Sequence, residues 1–77
     1  MTGWGRCGTL WACEQADVKP DILCTAKGLT GGSVPLAATL ATSAIYDAHV
    51  SHDRARMFVH SSSFTVNPIA CAAALAN

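Results

Sequence analysis

A lysine at the edge of a glycine-rich segment and a serine run ahead of a helix start are the residues here best suited to chemistry. Lys27 ends the apolar stretch Asp21-Ile-Leu-Cys-Thr-Ala26 and is followed by Gly28-Leu-Thr-Gly-Gly32. A primary amine held out of water at such a strand end loses its proton more readily and attacks carbonyl carbons. The flanking glycines would let a flat ligand lie close to the backbone. The ordinary alternative is a strand-end lysine that carries its charge out to solvent. The second feature, His60-Ser61-Ser62-Ser63-Phe64-Thr65-Val66-Asn67-Pro68, offers hydroxyls and backbone N–H groups before a helix. Free N–H groups and the helix dipole favour an anion there, although serine loops are also common as plain polar turns. An amine suited to an aldehyde and a cradle suited to a phosphate fit one cofactor, pyridoxal phosphate.

Three other patterns carry less. Gly3-x-Gly5-x-x-Gly8 spells the dinucleotide fingerprint, but that motif needs a strand before it and a long helix after it. Here Asp21 opens its strand instead of closing it, so a tight glycine turn is expected and nicotinamide binding is not. Ser51-His52-Asp53 contains the letters of a hydrolase triad, yet neighbours in sequence rarely aim into one relay. Those residues, with His49, read as a solvated loop. Cys7, Cys13, Cys24 and Cys71 include no C-x-x-C pair. Zinc modules bring ligands in close pairs, so the cysteines are expected to be reduced and mostly buried, with no metal bound.

Positioning these groups requires alternating short strands and helices. Leu10 to Ala16 is expected to form a short helix closed by Lys19-Pro20. Asp21 to Ala26 and Leu36 to Thr42 read as strands, and Met57-Phe-Val59 as a third. Thr42 or Ser43 can cap a helix through about Val50 by way of a hydroxyl. Asn67-Pro68 is a strong helix start, leading into Ile-Ala-Cys-Ala-Ala-Ala-Leu-Ala76. Apolar strands alternating with helices imply an α/β architecture with a buried sheet.

Composition supports that reading. The apolar fraction is 51% and the charged fraction 13% over 77 residues with zero net charge, where a soluble domain carries roughly 25% charged residues. Fourteen residues are alanine, so the apolar content supplies little core volume. Such a balance suits a slice of a larger interior better than a free monomer, because a domain this short buries only about 60% of its unfolded surface. With no basic cluster and no long apolar run, neither nucleic acid nor membrane is an expected partner, and a soluble, intracellular piece is.

Gly3-Trp-Gly-Arg-Cys-Gly8 followed by Pro20-Asp21-Ile-Leu-Cys-Thr-Ala-Lys27-Gly-Leu-Thr-Gly-Gly32 resembles the signature of class III pyridoxal-phosphate aminotransferases, in residues and in spacing. The resemblance runs over nearly the whole chain. GTLWACEQA, KGLTGG with PLAATLAT, and HSSSFTVNPIACAAALAN are most similar to the branch that takes its amino group from S-adenosylmethionine in biotin synthesis, with 8-amino-7-oxononanoate as keto acceptor. An omega-amino-acid aminotransferase fragment, or a non-catalytic remnant, is the alternative.

The resemblance implies that residues 1–77 form part of the large domain of a fold-type I transferase, with a mixed, mostly parallel sheet flanked by helices. It implies a cytoplasmic homodimer. Lys27 then falls where the family holds pyridoxal phosphate as a Schiff base and shuttles the substrate proton. Ser62 and Ser63 fall where it contacts the cofactor phosphate, reaching across to the neighbouring subunit, and Ser61 where it lines the substrate pocket. Arg6 lies in a segment near the active site. Cys7 replaces a usual threonine, and Asp17 and Ser61 replace usual glycines. The aspartate that pairs with the pyridine nitrogen, the stacking aromatics and the arginine for the substrate carboxylate are not among these residues.

Overall fold

The punctuation at Lys19-Pro20-Asp21 and Val34-Pro35 sets off two strands. The computed structural model describes residues 1–60 and 62–77. Strand β1 spans Ile22–Ala26 and β2 spans Ala37–Ala41. They pair antiparallel, from Ile22 opposite Ala41 to Ala26 opposite Ala37. An antiparallel pair has its place in the mixed sheet that the resemblance implies, and the connection explains its direction. Lys27 to Leu36 contains one 3-10 turn, Lys27–Thr30, whereas a parallel crossover takes a dozen or more residues, usually with a helix.

Helix α1 is Ser43–His49 and α2 is Pro68–Ala76. The start of α2 follows the sequence directly: Pro68 takes the first turn, and Asn67 Oδ1 accepts from the N–H of Ile69 at 3.0 Å and of Ala70 at 3.4 Å. α1 starts differently from expectation. Thr42 occupies the capping position, but no hydroxyl capping bond forms, and the Tyr46 N–H to Thr42 carbonyl bond opens the helix. The helix expected over residues 10–16 shortens to a 3-10 turn, Ala12–Ala16. There the Trp11 N–H donates to Glu14 Oε1 and the turn stops at Asp17, whose φ is +51°. That left-handed conformation is one glycine adopts without strain, whereas a side chain at positive φ crowds its own backbone.

The strand expected at Met57-Phe-Val59 does not form. These residues follow a turn in which the N–H groups of Arg56 and Met57 donate to the Asp53 carbonyl. No neighbouring strand among the described residues takes up their backbone groups. Phe58 instead lies between His49 and His60, with ring centroids 5.8 and 5.9 Å away.

Nor is the sheet buried. Ile22 and Leu40 are exposed, and Ala70 is the one buried apolar residue among those described. The shape supplies the reason. The chain measures 42 × 34 × 15 Å with a radius of gyration of 14.7 Å, where a compact domain of this length would have about 11.5 Å. A slab 15 Å thick holds little more than one layer of secondary structure, and a core needs two packed layers. The cysteines are free as expected, but for the same reason Cys7 and Cys24 are exposed rather than buried. Among the described residues, no helix is long and apolar enough to cross a membrane.

Candidate functional site

Lys27 is the first residue after β1 and has a φ of +52°, in the left-handed region. For a residue with a Cβ that conformation costs roughly 1–2 kcal/mol, so neighbouring contacts must hold it. The 3-10 turn supplies two of them: the Gly32 N–H donates to the Lys27 carbonyl and the Gly31 N–H to the Gly28 carbonyl, both at 3.1 Å. Within the turn Thr30 is buried, donating to the Val34 carbonyl at 2.6 Å while its own carbonyl accepts from Ser33 Oγ at 2.8 Å. Lys27 itself is exposed. The withdrawal from water expected for a nucleophilic amine is therefore not supplied by these residues, because no layer of structure among them covers that face of the sheet.

The glycines do not leave room for a ligand at Gly28 and Gly31. A Cβ on Gly28 would come within 3.0 Å of Trp4 Cβ and Cδ1, and one on Gly31 within 2.7 Å of Asn77 Oδ1. Protein side chains take the close approach there, and only Gly32, with a φ of +82°, faces open space. Trp4 is fixed in turn. Its Nε1 donates to the buried Thr25 Oγ1 at 2.7 Å, and Trp11 meets it edge to face at 5.1 Å. Asn77 Nδ2 in turn donates to the Gly28 carbonyl at 2.9 Å. Trp4, Thr25 and Asn77 are not visible as site residues in the sequence. The available signal is the glycine directly after Lys27, which demands a close neighbour without saying which.

The fingerprint-like glycines form the expected tight turn: the Gly8 N–H donates to the Gly5 carbonyl at 3.0 Å, with φ of +84° and +91° at the two positions. That turn carries Arg6 and Trp4 to the edge of a cleft of about 750 Å³ that Lys27 also lines. Ser51 to Arg56 is the expected polar loop, in which Asp53 Oδ1 accepts from the Ala55 N–H.

A second, broader cleft of about 1650 Å³ brings Lys27 together with Ser62, Thr65 and the start of α2. Ser63 does not line it; its side chain is exposed. Ser62 Oγ lies 3.1 Å from Thr65 Oγ1. Ser61 lies outside the described residues. The helix start is not the open anion cradle the sequence led us to expect, because Asn67 already satisfies two N–H groups of its first turn. What remains for an anion is hydroxyl chemistry at Ser62 and Ser63.

An exposed lysine at a strand end, held by a glycine turn and sharing a cleft with Ser62 ahead of a helix, lies on the backbone of an aminotransferase segment. The chain superposes on the crystal structure of adenosylmethionine-8-amino-7-oxononanoate aminotransferase from Methanocaldococcus jannaschii DSM 2661 with a TM-score of 0.87 and 44% identity, covering 97% of this chain and 18% of that one. Residues 1–77 match the family Aminotransferase class-III throughout, and the chain belongs to that family. Relatives include adenosylmethionine-8-amino-7-oxononanoate aminotransferase of Synechococcus elongatus, 49% identical over 100% of this chain and 18% of the relative. The putrescine aminotransferase of Pectobacterium atrosepticum is 49% identical over 99% of this chain and 15% of the relative. The chain thus spans less than a fifth of the length of these relatives.

Proposed function

We propose that these residues are part of the cofactor-binding large domain of a pyridoxal-phosphate aminotransferase that acts as a cytoplasmic homodimer. The reaction is transfer of an amino group from S-adenosylmethionine to 8-amino-7-oxononanoate, in biotin biosynthesis. The observation that carries the reading is Lys27, in Asp21-Ile-Leu-Cys-Thr-Ala-Lys27-Gly, set at the end of β1 with its backbone fixed by the glycine turn. The residues fit the cofactor. Lys27 sets a primary amine on two open clefts, and the exposed hydroxyls of Ser62 and Ser63 can donate to a phosphate oxygen across a subunit interface.

When bound, pyridoxal phosphate supplies the conjugated ring that takes up the electron pair of a broken substrate C–H bond. Lys27 would hold the cofactor through its amine and, when freed by substrate, would carry the proton removed from the substrate carbon. Ser62 and Ser63 donate hydrogen bonds to the phosphate in the neighbouring subunit, and Ser61 lines the substrate pocket. The exposure of Ser63 supports a role across an interface.

Putrescine is a second candidate donor, because a relative with that name is as similar as the one named for S-adenosylmethionine. Assaying the full-length protein with S-adenosylmethionine, putrescine and omega-amino acids as donors separates them. We expect amino transfer to 8-amino-7-oxononanoate from S-adenosylmethionine, and transfer from putrescine alone would replace this substrate assignment.

Hydrogen bonds to a charged acceptor are worth about 1.5–3 kcal/mol each. Ser63→Ala in the full-length protein should therefore weaken cofactor affinity about tenfold or more. Titration of the cofactor-free dimer measures it, and unchanged affinity would remove Ser63 from the phosphate site.

A further inference from the structure

We infer that Asn77 and Trp4 are positioning residues that hold Gly28, the residue directly after Lys27, so that the amine leaves β1 in one fixed direction. The role rests on the reading of Lys27 as the cofactor lysine. Left-handed backbone at a residue with a Cβ persists only where the surroundings over-determine it, and such strain gathers at functional positions. At Lys27 the surroundings are specific. The Gly28 carbonyl accepts both the Gly31 N–H at 3.1 Å and Asn77 Nδ2 at 2.9 Å, filling both of its lone pairs.

Asn77 is 49 residues away in sequence and directly follows Ala76 of α2, so this bond ties the lysine turn to that helix. The Trp4 indole lies so close to Gly28 that a Cβ there would approach it to 3.0 Å. Its N–H is held by Thr25, two residues before Lys27 on β1. Gly28 therefore has the Trp4 ring packed against its Cα and the Asn77 amide bonded to its carbonyl, in the peptide that leads on to Leu29.

The chemistry gives this geometry a consequence. Lys27 Nζ attacks the aldehyde carbon of the cofactor, a C=N bond replaces C=O, and one water leaves. The attack needs the amine near 3–3.5 Å from that carbon and in line with it. A peptide freed from Asn77 lets the amine spread over other directions and slows the condensation without altering the groups that bind ring or phosphate.

The test uses the full-length protein stripped of cofactor. Asn77→Leu keeps the volume and removes the amide. On mixing with pyridoxal phosphate, the visible absorbance of the Lys27 Schiff base should grow about fivefold more slowly, the factor expected for loss of one hydrogen bond. Affinity for pyridoxine 5'-phosphate, which has no aldehyde, should stay within about twofold of the unmodified protein's. Trp4→Phe, which keeps a ring beside Gly28 but loses the N–H, should slow condensation in the same selective way and carries the test if Asn77→Leu does not fold. Equal weakening for both ligands would mark Asn77 as merely structural, and an unchanged condensation rate would end the proposal. A visible band that survives Lys27→Arg would instead show that the cofactor-lysine reading itself is wrong, and the clamp would fall with it.

Discussion

Lys27→Arg in the full-length protein should leave the fold intact and abolish both the visible absorbance and nearly all amino transfer. Arginine keeps the positive charge and most of the length, but its guanidinium stays protonated and cannot condense with an aldehyde. It is also too weak a base to carry the proton between carbons. Loss of a positioned acid–base group alone costs about 10²–10⁴-fold in rate, and losing covalent attachment adds to that. Methylamine in the buffer should restore part of the rate, since a free amine can do slowly what the tethered one did. Lys27 is exposed and followed by open turn structure, so the larger guanidinium has space. A variant that melts at the same temperature yet retains more than about a tenth of the activity would place the chemistry on another residue.

The second large effect concerns the 77 residues expressed alone, which should neither fold stably nor transfer an amino group. The sheet has one strand pair, Ala70 is the only buried apolar residue among those described, and Phe64, Val66, Ile69 and Leu75 are each more than 70% exposed. Unpaired strand edges and open apolar surface of this kind invite association with other chains. The ring-nitrogen aspartate, the stacking aromatics and the carboxylate-binding arginine that the family resemblance calls for are not in this sequence. A donor would not be held near Lys27 in a reactive geometry, an arrangement that can supply about 7–11 kcal/mol of a barrier. Size-exclusion chromatography and an amino-transfer assay with pyridoxal phosphate added test this. A soluble monomer that turns over S-adenosylmethionine would show that fewer residues suffice.

Local signals were legible wherever a few neighbouring residues decide the outcome. Asn67-Pro68 starts α2 because both the cap and the first turn are set by two side chains. Pro20-Asp21 and the glycines after Lys27 bound β1 for the same reason. The failures share a different cause. Met57-Phe-Val59 has strand-like residues but no partner strand among the described residues, and pairing is decided by the rest of the fold. Burial of the sheet, of Cys24 and of Lys27 also depends on layers that these residues do not form.

Within the site, chemistry alone pairs Lys27 with the serine run, and Lys27 and Ser62 do line one cleft, whereas the resemblance assigns Ser62 to the phosphate of the neighbouring subunit's cofactor. The start of α2 could not be read the same way. Asn67 was readable as a cap, and the same bond that makes it a good cap closes the helix to an anion. Asn77 was out of reach because its contact spans 49 residues and leaves no periodic trace.

Borohydride reduction tests the central claim most directly. Hydride delivered to the C=N carbon turns the Schiff base into a secondary amine that survives proteolysis, so the residue that carries the cofactor can be read by peptide mass. The full-length protein, loaded with pyridoxal phosphate and reduced, should yield one modified peptide, with the added mass on Lys27 and with Lys19 unmodified. Modification of another lysine, with Lys27 recovered free, would contradict the account.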